Sequence, residues 1–219
     1  MKRLFPMMLA LVTLATTSIA TQAQDAKAGA KKAAMCQGCH SIVGYQASFP
    51  EVHKVPMISG QNAKYLASAL AAYKKGERKH PTMRAIAASL SDQDIADLAA
   101  FYEANGSGSE KVPDKLAVTP PAEVAELLKK ANCASCHGEN LTRSIDPSYP
   151  KLAGQHADYL YFALKAYQTD KNPHVGRSNP IMMGMARPFT HNEIKQLAQY
   201  ISSLPGELTV VPQSRFHLH

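Results

Sequence analysis

The sequence contains no tryptophan and only four cysteines, and these fall as two pairs, Cys36/Cys39 and Cys133/Cys136. No thiol is left over for a separate task. Beyond the first residues no run is apolar enough to cross a bilayer, and no run of alternating β-branched residues is long enough for a sheet. Basic clusters are missing too: Lys31/Lys32, Lys74/Lys75 and Lys129/Lys130 are scattered pairs among acids, the pattern of solvated helix faces and not of a nucleic-acid stripe. What is present is globular. The 219 residues are 45% hydrophobic and 19% charged, enough for one or two small domains and unlike a disordered or fibrous chain.

The opening residues have the form of an export signal: basic Lys2 and Arg3, an apolar run from Met7 to Ala15, then small residues through Ala20 and Ala23. Residues 1–23 are therefore expected to be a cleavable signal peptide, with the mature chain outside the cytoplasmic membrane. Removing Lys2 and Arg3 leaves 22 basic against 17 acidic residues, lowering the formal charge from +7 to +5. Such a weakly basic surface can steer an acidic partner protein in a salt-sensitive way.

The chain repeats itself, and the repeat organises the rest. "MCQGCH" returns as "NCASCH", with His40 and His137 separated by 97 residues. "VPMISGQNAKYLASALAAY" returns as "YPKLAGQHADYLYFALKAY" at an offset of 94, matching Pro56 to Pro150, Tyr65 to Tyr159 and Tyr73 to Tyr167. "HPTMRAIAASLSDQDIADLAAFY" returns as "NPIMMGMARPFTHNEIKQLAQYI" at an offset of 99, matching Met83 to Met182. Three blocks recurring in one order indicate a duplicated unit, here residues 24–106 and 120–206. Residues 107–119, rich in Gly, Ser and Pro, form a linker, and 207–219 form a tail.

Each unit is helical in pattern, so the expected fold class is all-α. "NAKYLASALAAYKKG" puts Tyr65, Leu66, Ala69, Leu70 and Tyr73 on one face, with Asn62 as N-cap and Gly76 at the far end. "SDQDIADLAAFYEANG" opens with Ser91 as N-cap and Asp94 three residues later, and ends at Gly106.

The chemistry sits in C-x-x-C-H, present at Cys36 to His40 and again at Cys133 to His137. Two thiols at this spacing can each form a thioether to a haem vinyl group, which leaves the adjacent histidine beneath the iron. Competing readings are a thioredoxin-like redox pair, a zinc site using both pairs, or disulfides. No βαβ pattern surrounds either motif, the pairs lie too far apart for a zinc ribbon, and a disulfide leaves the histidine unexplained twice. Two covalent haem c groups follow, held by Cys36, Cys39, Cys133 and Cys136, with His40 and His137 as iron ligands.

Methionine is the candidate sixth ligand. Met83 lies 43 residues after His40 and Met182 lies 45 after His137, each two residues beyond a proline in a loop, and the repeat superimposes them. Met183 and Met185 lie close by, but they align with Arg84 and Ile86 and read as packing. A histidine–methionine pair raises the potential and closes the iron to substrates, so such haems carry electrons. The expected pocket lining is Tyr65, Leu66, Leu70, Ile86 and Leu90 in one unit and Tyr159, Leu160, Leu164, Met185 and Phe189 in the other. The carbonyls of Pro56 and Pro150 are candidates to accept the Nδ1–H of the ligating histidines. His53, His80, His156, His174, His191, His217 and His219 show no metal spacing and read as surface residues.

These motifs, with the "ISGQNAKYLASALAAY" and "LAGQHADYLYFALKAY" helices and the methionine segments, resemble the dihaem cytochromes c4 over nearly the whole mature chain. The resemblance implies two class I cytochrome c domains packed about a pseudo-twofold axis, with their haems close together, in a bacterial periplasm. It further implies electron delivery from quinol-cytochrome c reductase, or a carrier downstream of it, to a haem-copper terminal oxidase, with any membrane attachment peripheral. No catalytic residue is expected. The other uses to weigh are the electron-accepting subunit of a periplasmic dehydrogenase and a dihaem peroxidase, which needs one open iron. Two departures stand out: Ser41, followed by the unusual "IVGYQASFPEVHKVP", replaces the glycine that many members have after the first C-x-x-C-H, and Glu126 stands where the first unit has Gly29.

Overall fold

The computed structural model describes residues 24–106 and 112–213, so the expected signal peptide, part of the linker and the end of the tail, including His217 and His219, lie outside the described residues. The first half runs α1 (Ala26–Lys32), α2 (Ala34–His40), β1 (Gln46–Ala47), β2 (His53–Lys54), α3 (Ala63–Lys75), β3 (Arg78–Lys79), α4 (Pro81–Ala88) and α5 (Asp92–Ala104). The second runs α6 (Ala122–Lys130), α7 (Ala134–His137), α8 (Ala157–Gln168), β4 (Gly176–Arg177), α9 (Pro180–Ala186) and α10 (His191–Ser203). It is the duplicated all-α architecture the repeat implies.

Helix boundaries follow local chemistry. In α5 the Ser91 hydroxyl accepts from the Asp94 N–H while the Asp94 carboxylate accepts from the Ser91 N–H, and Thr190 and Glu193 do the same at α10. Asn62 stands at the N-cap of α3 but makes no side-chain capping bond, because its amide instead reaches Ser144 and the Tyr149 carbonyl of the other half. The apolar faces then pack as two cores. The first gathers Ala33, Leu66, Leu98, Ala99 and Tyr102, and the second Val124, Leu127, Leu160, Ile194, Leu197 and Ile201.

Among the described residues the four strands are two residues each, too short to leave an alternating pattern in the sequence. Strands β1 and β2 form a hairpin inside the first half, while β3 and β4 join the halves, with Arg78 opposite Arg177. Two glutamines extend this contact in a reciprocal way. Gln61 donates to the Lys151 carbonyl and accepts from the Lys151 N–H at 3.0 and 2.9 Å, and Gln155 does the same with Met57 at 2.8 and 3.0 Å. Gln61 matches Gln155 and Met57 matches Lys151 in the repeat, so equivalent residues face each other about an approximate twofold axis, as in an isologous dimer.

The connecting segments are packed, and one expectation changes. The described part of the linker is docked on the second half: Val112 is buried, the Pro113 carbonyl accepts from Asn140, and the Val118 carbonyl accepts from the Tyr200 hydroxyl at 2.6 Å. The tail crosses to the first half, where the Thr209 N–H donates to the Ser59 carbonyl, while Glu207 pairs with Lys151 of the second half. His53, read as a surface residue, is 3% exposed and stacked on Phe162 of the other half at 4.4 Å between ring centroids. That placement also explains the unusual segment after Ser41, which reaches across the interface to hold Asp158 and Lys165 through Lys54 and Glu51.

Candidate functional site

The two cysteine motifs open onto one continuous cavity of about 1010 Å³. Helix α2 carries Cys36, Cys39 and His40, and Cys133 caps the single turn α7, which carries Cys136 and His137. All four thiols are free, and burial pushes those of Cys36 and Cys133 upward. Among the described residues no group of three or more His, Cys, Asp or Glu is placed to hold a metal ion, so the two cysteine pairs do not converge as a zinc centre.

Both histidines are oriented from behind. Nδ1 of His40 lies 2.9 Å from the Pro56 carbonyl oxygen, and Nδ1 of His137 lies 2.9 Å from that of Pro150. A carbonyl can only accept, so Nδ1 carries the proton and Nε2 keeps the lone pair a metal needs. Burial lowers both imidazoles below the ordinary histidine value, against the opposing pull of the proline carbonyls, and keeps them neutral.

Met83 and Met182 line the same cavity, in the first turns of α4 and α9 and not in loops. Each helix begins with a proline, and the residue before it caps the methionine's own backbone. The His80 ring accepts from the Met83 N–H at 3.4 Å, and the Asn179 carboxamide accepts from the Met182 N–H at 3.0 Å. His80 thus has a structural task as a cap. Met185 also lines the cavity, whereas Met183 does not.

All ten expected lining residues, from Tyr65 and Leu66 to Met185 and Phe189, are on the cavity wall. Part of that wall is also core: Leu66, Leu98 and Tyr102 face the cavity from one half, Leu160, Leu197 and Ile201 from the other. Something apolar must fill the space to complete the packing, because empty volume forfeits the dispersion contacts of its lining. Two haem c groups fit that requirement, one beside each cysteine motif. The donor set also fits: thiols for the vinyl groups, a neutral nitrogen and a soft thioether for iron.

Sequence reasoning missed a central polar cluster. Arg78 donates to the Tyr65 hydroxyl at 3.1 Å and lies over the Tyr65 and Tyr73 rings, and Arg177 donates to the Tyr159 hydroxyl at 2.9 Å and lies over the Tyr159 and Tyr167 rings. The signal was available. Arg78 and Arg177 are separated by 99 residues, the offset of the methionine block.

Comparisons with known proteins agree with this geometry. The Cytochrome c family model matches twice, at residues 26–103 and 121–205. The chain is 31% identical to cytochrome c4 of Azotobacter vinelandii over 211 residues, spanning 89% of this chain and 96% of that one. It is likewise 31% identical to a thiosulfate dehydrogenase electron acceptor of Stutzerimonas stutzeri, over 90% of this chain and 94% of that one. Among solved structures, reduced recombinant cytochrome c4 from Pseudomonas stutzeri superposes with a TM-score of 0.59 at 29% identity, covering 84% of this chain and all of that one.

Proposed function

Because the chain belongs to the cytochrome c family, as a dihaem member of the c4 kind with two covalently attached haem c groups, we propose that it shuttles electrons in the periplasm. Its donor on this reading is the quinol-oxidising complex and its acceptor a haem-copper terminal oxidase, and the exported chain works free or at the outer face of the inner membrane. One observation carries the reading: two equivalent sets, Cys36, Cys39, His40, Met83 and Cys133, Cys136, His137, Met182, line one cavity.

In this assignment Cys36 and Cys39 anchor the first haem through thioethers and Cys133 and Cys136 the second. Held by these residues, the haem groups would supply one-electron redox chemistry. His40 and His137 present Nε2, held by the proline carbonyls, and would ligate the iron together with the Met83 and Met182 thioethers. A histidine and a methionine together would exclude added ligands and favour the reduced state. Tyr65, Leu66, Leu70 and their counterparts keep water away, which limits reorganisation when charge changes.

The test is an optical and potentiometric study of the holoprotein exported in a haem-maturing host. Two haems per chain, both low-spin, the far-red absorption of methionine-bound ferric iron and no response to carbon monoxide are expected. Met182→Ala should then admit carbon monoxide at one haem and lower its potential by a few tenths of a volt, within the roughly 0.8 V that axial ligands span. An unchanged potential in that variant would move the ligand role to Met185. An open iron in the unaltered protein would favour a peroxidase instead. A second reading, the electron-accepting partner of a dehydrogenase, draws on the likeness to the thiosulfate dehydrogenase electron acceptor. Tight co-purification with a large catalytic subunit would select it.

A further inference from the structure

Among the described residues three buried side-chain oxygens have no hydrogen-bond partner, those of Ser41, Tyr102 and Thr142. Of these, only Tyr102 lines the cavity that the two cysteine motifs share. It is 3% exposed, near the end of α5, and its backbone is held in place because its carbonyl accepts from the Gly60 N–H at 2.8 Å. Its ring belongs to the first core, and Cys36 packs against that core. The repeat sets Ile201 at the matching position of the second half, also buried and also on the cavity wall. At this point the two otherwise equivalent sites differ: one presents a hydroxyl, the other only methyl and methylene groups.

A hydroxyl buried without a partner is unfavourable, and a phenylalanine of the same shape would avoid the penalty. Burial, and after it the neighbouring Cys36 thiol, push the Tyr102 phenol above its ordinary value, so it stays a neutral O–H donor. Attachment of a haem changes what Cys36 can offer in return. Its sulfur, once bonded to a vinyl carbon, is a thioether with lone pairs and no proton, and the one pairing left is phenol as donor and sulfur as acceptor. On the reading of two covalent haems per chain, we infer that the Tyr102 hydroxyl donates a hydrogen bond to the Cys36 thioether sulfur and thereby raises the potential of the first haem alone, making Tyr102 a positioning and tuning residue that the second half lacks.

The electrostatics give a sign. A donor on that sulfur turns the positive end of its dipole toward the haem edge, which favours ferrous over ferric iron, and hydrogen bonding around the cofactor is one of the protein's levers on potential. The experiment is a potentiometric titration of the holoprotein and of Tyr102→Phe, with haem counted per chain and the melting temperature recorded. The two haems are told apart by Met182→Ala, which is expected to lower only the second. Tyr102→Phe keeps the ring and its packing, and should make reduction of the first haem harder by about threefold, which for one electron is about 28 mV, leave the second where it was, and lower the melting temperature. Resonance Raman spectra of the unaltered holoprotein in light and fully exchanged heavy water should show a shift in one carbon–sulfur stretching band, and the shift should vanish in Tyr102→Phe. Unmoved potentials with an equal or higher melting temperature overturn the assignment, because a hydroxyl without a partner is better replaced by phenylalanine. An equal fall at both haems overturns it too, since it reports a general loosening. Should Tyr102→Phe fail to retain both haems, the heavy-water comparison on the unaltered protein decides, and carbon–sulfur bands that do not move overturn Cys36 as the acceptor in every case. Fewer than two haems in the unaltered protein would instead remove the reading on which the inference rests.

Discussion

The two halves build equivalent cofactor sites on helices that are packed differently, and the difference shows which features the chemistry constrains. In the first half α1 meets α5 through Gly29 and Ala33. A Cβ at Gly29 would collide with the Asp97 carbonyl, so the backbones touch. In the second half α6 buries Val124 and Leu127 instead, and Glu126, the sequence counterpart of Gly29, is exposed. The reason is a shift of one residue: the turn before the second motif takes in Asn132 at φ 45°, and the Cys133 N–H bonds back to Leu128, five residues away, where Cys36 bonds to Ala33, three away. The cysteines and histidines keep their places while the helix leading to them slides. Helix packing can vary between the copies because the covalent anchor fixes the cofactor on the motif itself.

The residue after each motif provides the sharpest way to break the equivalence. Gly138 sits at φ 81°, ψ 159°, where only glycine is comfortable, and a side chain there would also strike the Arg143 carbonyl. Ser41 sits at φ −108°, ψ 15°, an ordinary conformation, and its buried hydroxyl has no hydrogen-bond partner. Gly138→Ala should therefore destabilise the protein by about 3 kcal/mol, combining backbone strain with a steric clash, whereas Ser41→Ala should stay within about 0.5 kcal/mol of the starting protein. Chemical denaturation of the holoprotein measures both. Equal effects would mean the two loops are less different than their backbone angles indicate.

A smaller effect tests the symmetry itself. Each interface glutamine satisfies one N–H and one C=O of the opposite half, so Gln155→Ala strands the backbone of Met57 and Gln61→Ala that of Lys151. Leaving such groups buried and unpaired should cost about 2 kcal/mol in either variant, and calorimetry should show one unfolding transition separating into two. A markedly milder Gln61→Ala would single out Lys151, whose ammonium also bonds the Gly60 carbonyl and Glu207 and so keeps that segment in place.

These glutamines mark the limit of what the sequence discloses. The cysteine motifs, the helices, the Ser91 cap, the paired methionines and the proline carbonyls behind the histidines could be read, because each rests on local spacing or on the repeat, whereas the Asn62 side chain turned to the other half. The interface could not. A repeat makes Gln61 equivalent to Gln155 without saying that the two copies face each other, and Arg78 looks like any charged residue until β3 meets β4. His53 was misread for the same reason, since its partner Phe162 lies more than a hundred positions away. Contacts across an interface leave no local period, and two-residue strands leave no alternation.

The smallest expected effect separates the two kinds of interface contact. The hairpin segment belongs to the first half alone, and it reaches the second half through charge: Glu51 to Lys165 at 2.8 Å, and Lys54 to Asp158. Partly exposed pairs of this kind contribute little and are screened by salt, whereas the glutamine contacts are neutral and buried. Glu51→Ala should cost only about 0.5 kcal/mol at low ionic strength and nothing measurable at 1 M salt, while the deficit of Gln155→Ala should persist unchanged. Thermal melts of both variants across a salt series make the comparison. A salt-independent loss in Glu51→Ala would mean that the hairpin is held by the stacking of His53 on Phe162, with the ion pair shaping that contact and adding little of its own.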